Sequence, residues 1–324
     1  MDKKIKIAIA GYGNLGRAAI ACMKNFPDME LAVVFTRRTE AVKAPCPVHS
    51  FDDMPKFRGK IDVTVMCGGS ASDLPAQSPA AAKIFNIVDS FDTHARIPEH
   101  FANVEKAARG GGTFAVISAG WDPGLFSLMR ALFAAVLPDG GDYSFWGKGV
   151  SQGHSDAIRR VSGVKKAIQY SIPVGDAVQK VRQGLQPVLS AREKHLRECF
   201  VVAQDGADKA RIEREIKQMP NYFADYDTTV HFITEEEFDR AHTAMPHAGL
   251  VLRSGETAGN NKHLMELSLK MDSNPEFTAS VMLAYARAVK RLHDEGRRGC
   301  ATALDIPVGY LSIMTGEELR GKVL

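Results

Sequence analysis

Apolar residues in the first third of the chain gather into short runs separated by stretches with helical composition. The runs are Ile5–Ala10, Leu31–Phe35, Asp62–Met66, Asn86–Val88 and Thr113–Ile117, and all are rich in β-branched or aromatic residues. Helical patterns lie between them, notably Arg17–Met23, Asp73–Lys83 and Pro98–Arg109. Alternating strand and helix predicts an α/β unit built on a doubly wound parallel sheet, which collects its ligands beyond the carboxyl ends of the strands. After Pro123 the period changes. Longer strand-like runs (143–147, 164–172, 198–202, 228–233, 249–254 and 263–271) alternate with helical pieces at 175–183 and 208–219, which predicts a mixed or antiparallel sheet packed with helices. A last long helix is expected over 275–295, capped by Ser273 or Asn274, with Pro275 in its first turn and Gly296 just past its end.

The first strand feeds Gly11-Tyr12-Gly13-Asn14-Leu15-Gly16, and a helix follows. In that order GxGxxG acquires a mechanism. Gly11 permits a tight turn, Gly13 lets the backbone approach a pyrophosphate, Gly16 lets the helix pack closely, and the helix N-terminus faces the phosphates. An NAD enzyme places a carboxylate at the end of the second strand, to bind the ribose hydroxyls. Here that turn reads Thr36-Arg37-Arg38, and forked guanidinium groups suit a 2′-phosphate, hence NADP. The remaining strands end in Cys67-Gly68-Gly69-Ser70, in Ser90-Phe91-Asp92, and in Ala119-Gly120-Trp121-Asp122-Pro123, so all these turns belong to one crevice edge.

Composition narrows the classes without adding a partner. The 324 residues suggest about two domains, and 41 basic against 38 acidic residues leave a net charge of +3 with no dense basic block. Nucleic-acid binding is therefore not expected. No stretch of eighteen apolar residues exists and no apolar leader opens the chain, which argues against membrane insertion and secretion. Five scattered cysteines and the absence of HExxH give no metal site, and reduced thiols fit a cytoplasmic protein.

Two carboxylates stand on crevice turns. Asp122 before Pro123 also reads as a helix N-cap with Pro in the first turn, and Asp92 as a turn cap, so function and capping stay open for both. In the second half, Phe145-Trp146-Gly147 and Ser151-Gln152-Gly153-His154-Ser155 read as glycine-loosened segments whose amides suit a carboxylate. Strand alternation turns His195 and Arg197 to one face, while Pro246-His247 and Asn260-Asn261 fall in expected loops.

Taken together, Gly11–Arg17, Arg37-Arg38, Ser118–Gly124, Phe145-Trp146-Gly147, Ser151–Asp156, Cys199–Ala203, Met245-Pro246-His247 and Asn274–Ser280 resemble the meso-diaminopimelate dehydrogenases, and the likeness spans nearly the whole chain. The resemblance implies a homodimeric cytoplasmic enzyme of lysine and peptidoglycan-precursor biosynthesis. Such an enzyme uses NADP to deaminate the D-centre of meso-2,6-diaminopimelate, giving L-2-amino-6-oxopimelate, ammonia and NADPH. It implies a nucleotide domain of 1–121 with 275–324, and a substrate and dimerisation domain of 122–274. It also implies that Asp92 and Asp122 lie by the reacting carbon and amine, that Trp146, Gln152 and Gly153 frame the substrate, that Ser171, Arg197 and His247 hold the carboxylate of the distal L-centre, and that Asn261 adds a further contact. Serine stands at 171 where the family is expected to have threonine. An unperturbed Asp, with a pKa of about 3.9, is a poor base for an ammonium, so the two carboxylates are expected to orient the amine. The rival readings are another NADP imine or semialdehyde reductase of the lysine pathway, and an NADP-holding redox sensor.

Overall fold

The structure is a computed structural model that describes residues 4–324; residues 1–3 at the start of the N-terminal segment lie outside it. The chain forms two compact units, one of residues 1–128 with 275–324 and one of residues 129–274.

In the first unit β1 (Ile5–Ala10) leads through the glycine turn to α1 (Asn14–Cys22). There follow β2 (Met29–Phe35), β3 (Val48–His49), β4 (Val63–Met66), α2 (Leu74–Ala82), β5 (Asn86–Asp89), α3 (Ile97–Gly111) and β6 (Phe114–Ile117), and then α4 (Leu125–Val136), which begins in this unit and continues past its boundary at residue 128. The seven-stranded sheet is parallel throughout, in the order Gly299–Thr302, β6, β5, β4, β1, β2, β3. Alternation along β1 explains why it lies in the middle. Ile7 and Ile9 pack with α1 and the C-terminal helix Asn274–Asp294, whereas Ala8 and Ala10 pack with α2 and α3 on the other face. The C-terminal helix gives Met282, Leu283, Tyr285, Ala286 and Val289 to that first core, so this unit closes only with the end of the chain.

The doubly wound sheet stands as expected, with two additions. Neither the two-residue β3 nor strand Gly299–Thr302 was apparent from sequence, because one is too short to show a period and the other follows a basic turn. A further difference concerns Asp122. Gly120 and Gly124 bridge to each other, Gly120 N–H donates to the Pro123 carbonyl at 2.9 Å, and α4 begins only at Leu125. Asp122 therefore sits in a tight loop, not at a helix cap. Asp92 is not a cap either: the next turn starts from Thr93 and α3 from Arg96.

The second unit contains β7 (Gly140–Trp146), β8 (Gly149–Val150), α5 (Gln152–Arg159), β9 (Val164–Pro173), α6 (Gly175–Arg182), α7 (Ala191–Lys194), β10 (His195–Ala203), α8 (Lys209–Lys217), β11 (Asp227–Phe232), α9 (Glu235–Ala241), β12 (His247–Thr257) and β13 (Asn261–Met271). Two sheets form instead of one. The first, β11-β10-β9-β8, is mixed, and α5 and α8 cover it through Ile158, Ile212 and Ile216; the second, β13-β12-β7, is antiparallel and carries α6. Segment 151–155 is not loose. Ser151 accepts the His154 N–H and caps α5, so Gln152 and Gly153 form the first turn of a helix.

Candidate functional site

The first unit carries a cleft of about 480 Å³ at the point where the strand order reverses between β1 and β4. Gly11, Tyr12 and Gly13 line it from one side, Thr36, Arg37 and Arg38 from β2, and Cys67, Gly68 and Gly69 from β4. Gly11 has φ +106°, and a Cβ there would lie 2.9 Å from the Cys67 carbonyl. A Cβ on Gly16 would lie 2.0 Å from the Gly11 carbonyl oxygen, so α1 packs against its own turn only because that side chain is missing. Gly13 is different: nothing lies within 4 Å of its would-be Cβ. The protein itself has no steric need for glycine there, which leaves a ligand as the reason. No side chain caps α1, and the exposed Arg37 and Arg38 follow β2 at the rim. These features fit a dinucleotide bearing a 2′-phosphate. Phe51, Asp73 and Gln77 also line the cleft, and sequence reasoning missed them. Asp73 bridges Arg37 at 3.2 Å and accepts the Gly69 N–H at 2.9 Å, so it ties Arg37 to the glycine loop.

The other crevice turns sit beside this cleft. Ser70 Oγ accepts the Asp92 N–H at 2.9 Å, and the Asp92 side chain is exposed. Ala119 N–H donates to the Asp89 carbonyl at 2.8 Å, Trp121 packs edge-on to Phe126, and Asp122 is half-buried. Ser90 lies against the Gly120 backbone, while Phe91 and Pro123 are buried.

In the second unit, strand register brings the distant candidates together. Arg197 and Ser171 are partners across β10 and β9, and Gly149 of β8 pairs with Ser171 on its other side. A Cβ on Gly149 would lie 2.4 Å from the His247 ring, so the missing side chain lets that ring reach the same place. His195 Nε2 accepts the Trp146 N–H at 2.8 Å and its ring stacks on the indole at 5.3 Å. Gln152 reaches Met245 Sδ at 3.5 Å, two residues before His247. Gly153 again has open space where a Cβ would be.

Arg197 is the unusual member. It is 7% exposed, donates to Ser171 Oγ, lies 3.9 Å over the Tyr226 ring, and leaves Nε buried without a partner. No carboxylate pairs with it among the described residues. Burial pushes its guanidinium down from the usual arginine value. The same burial, reinforced by the positive charge of Arg197, pushes His154 down to about 4 and His195 to about 3, so both rings are neutral. A desolvated cation flanked by neutral donors is a receptor for an anion.

Asn261 does not join this group. It pairs with Thr257 at the closed end of the β12–β13 hairpin, and its side-chain amide donates to the Ala258 carbonyl at 2.8 Å. At about 3.4 Å per residue, that is roughly 34 Å along β12 from His247. The structure places Asn274 instead at the His247 end, where its N–H donates to the Met245 carbonyl at 3.0 Å. The signal for it was present in Asn274-Pro275-Glu276, but the hairpin register was not readable.

Residues 120–273 match the family described as the diaminopimelic acid dehydrogenase C-terminal domain. The meso-diaminopimelate D-dehydrogenase of Ureibacillus thermosphaericus is 57% identical over 324 residues, which cover 99% of each chain. The chain belongs to the meso-diaminopimelate D-dehydrogenase family. Among solved members, the diaminopimelate dehydrogenase of C. glutamicum in complex with DAP superposes with a TM-score of 0.95 at 43% identity, covering 99% of this chain and all of that one. An engineered D-amino acid dehydrogenase bound to NADP+ superposes at 0.90 with 42% identity, again over 99% and 100% of the two chains. Both the α/β class and the family expected from the sequence stand. In this member of the meso-diaminopimelate D-dehydrogenase family, Ser171 is a hydroxyl partner of the buried Arg197.

Proposed function

We propose that this chain oxidatively deaminates the D-configured centre of meso-2,6-diaminopimelate with NADP, giving L-2-amino-6-oxopimelate, ammonia and NADPH, and that it also runs the reverse reductive amination. The observation that carries the reading is Arg197, a buried guanidinium with no carboxylate among the described residues to neutralise it. A substrate with a second carboxylate at its far end supplies the missing anion.

Each unit has its own task. The first, as a dinucleotide-binding domain, holds NADP through Gly11–Gly16, the 67–70 loop and the pair Arg37 and Arg38. When bound, NADP provides the hydride acceptor. Asp92 and Asp122 accept hydrogen bonds from the reacting amine and set its orientation, then that of the water that hydrolyses the imine. In the second unit Arg197, Ser171 and His247 hold the carboxylate of the L-centre, Trp146, Gln152 and Gly153 frame the chain, and Asn274 takes the place expected for Asn261. The protein works as a cytoplasmic homodimer. Support for pairing comes from β13, an eleven-residue strand at a sheet edge with Leu264 exposed.

Acyl-enzyme semialdehyde chemistry requires an activated thiol, and desolvation raises all five cysteines, with Cys67 and Cys199 pushed up to about 12. An NADP-holding sensor gives Arg197 nothing to bind. The deciding experiment measures NADPH formation with meso-, LL- and DD-diaminopimelate in parallel. Turnover of meso but not LL is expected; equal rates on meso and LL, or none on meso, would refute the proposal.

A further inference from the structure

At the carboxyl end of β5, among apolar strand residues, one carboxylate is completely buried. Asp89 is 0% exposed and four donors converge on it. Oδ1 accepts the backbone N–H of Phe91 at 3.1 Å and of Ser118 at 3.0 Å. Oδ2 accepts Ser78 Oγ at 2.7 Å and lies 2.7 Å from Nε2 of His100, itself 3% exposed. The main-chain carbonyl of the same residue accepts the Ala119 N–H. The His100 ring in turn stacks on Phe91, with centroids 4.1 Å apart.

Ser78 of α2 and His100 of α3 hold one carboxylate oxygen, while the backbone bonds end on two loops. One carries Asp92, three residues past Asp89; the other carries Asp122, four residues past Ser118. Ser118 shows how firmly the second loop is held. Its φ is +54°, a region that side chains other than glycine enter at a cost, and its Oγ is buried with no partner. The bond from its N–H to Asp89 opposes that cost. An aliphatic residue at the end of β5 would bury more easily than a polar carboxyl group. What the carboxylate adds is direction, because it grips two separate loops through one rigid group.

We propose that Asp89 and His100 are a positioning pair that sets the loops of Asp92 and Asp122 for the reaction, touching neither substrate nor cofactor. The inference rests on the reading of Asp92 and Asp122 as the residues that orient the amine. Its test compares Asp89→Asn, His100→Phe and His100→Gln with Asp92→Asn in the intact enzyme. Readouts are kcat and KM for meso-diaminopimelate per NADPH-binding site, the Kd of NADPH, and the melting temperature. Phe keeps the stacking and loses the hydrogen bond, whereas Gln restores a donor. Displacement of a reacting group by about 1 Å costs up to roughly a hundredfold. Asp89→Asn and His100→Phe should therefore lower kcat about ten- to a hundredfold while NADPH binding is unchanged, and His100→Gln should recover most of the loss. A lower melting temperature with wild-type kcat per site would make the pair merely structural and overturn the proposal. If Asp89→Asn does not fold, the two His100 variants decide it, since equal wild-type kcat in both overturns it as well. Wild-type turnover by Asp92→Asn would instead overturn the underlying reading.

Discussion

Replacing Arg197 with Met removes a buried charge that has no counterion among the described residues, and the outcome has two parts of opposite sign. In the ligand-free protein the guanidinium is 7% exposed, with one hydroxyl partner, one ring and an orphaned Nε. Met keeps much of the volume and discards the desolvation penalty, so the melting temperature of the free protein should stay level or rise. With substrate present the variant loses a charge-assisted hydrogen bond to a desolvated carboxylate, worth about 1.5–3 kcal/mol. That range corresponds to about 10- to 150-fold in kcat/KM for meso-diaminopimelate. D-amino acids without a distal carboxylate never make this contact and should keep or improve their kcat/KM. The assay follows NADPH absorbance with both substrate types, alongside melting curves with and without meso-diaminopimelate, which should stabilise the wild type more than the variant. An equal loss on both substrates, or a melting temperature several degrees lower in the free variant, would refute the argument.

Two further outcomes follow from the geometry of single residues. His195, pushed down to about 3, accepts the Trp146 N–H on Nε2 and cannot do so once protonated. Its folded value lies below the unfolded one of about 6.5, so its contribution is complete above pH 6.5 and is lost as the pH falls towards 3, at up to about 1.4 kcal/mol per unit. His195→Gln, whose amide oxygen can accept the same N–H, should flatten the fall in melting temperature between pH 6.5 and 4; an unchanged slope would show that the histidine is not responsible. The fingerprint glycines should separate cleanly, since Gly13→Ala enters open space and Gly16→Ala meets the Gly11 carbonyl oxygen at 2.0 Å. The first should weaken NADPH binding without changing the melting temperature, the second should lower both, and identical behaviour of the two would contradict the assignment of Gly13 to the ligand.

Local features were readable from sequence, and non-local ones were not. The run Ile5–Ala10, the glycine turn and the helix after it depend on neighbours in the chain, so the pattern alone located them. His195 and Arg197 were correctly set on one face because a strand alternates strictly. The capped helix at Gln152 reads in the sequence as a glycine-loosened segment, because the polar residues on either side of Gly153 outweigh a Ser151 cap whose partner, His154, is not a standard capping-box residue. Asn261 was misplaced for a different reason. Its distance from His247 depends on the pairing of β12 with β13, and register is a property of two strands. The pairing of Asp89 with His100 carries no local signal, because an aspartate at a strand end and a histidine inside a helix look solvent-facing until the loops fold over them.

The return of the chain to its first unit at Pro275 also bears on the order in which the protein is made. Asp28 holds Arg287 across 259 residues of sequence, and Cys22 meets the Glu276 carbonyl across 254. Ile7, Ile9 and Ala19 lack the part of their cover that comes from the helix Asn274–Asp294 until it has been synthesised. The second unit has every strand it needs by Met271. On the ribosome, then, the segment translated later can finish folding first, while the fingerprint strand waits with one apolar face only partly covered for the last fifty residues. A chain stopped before Pro275 would lack the cover for its nucleotide fold, however complete its glycine motif.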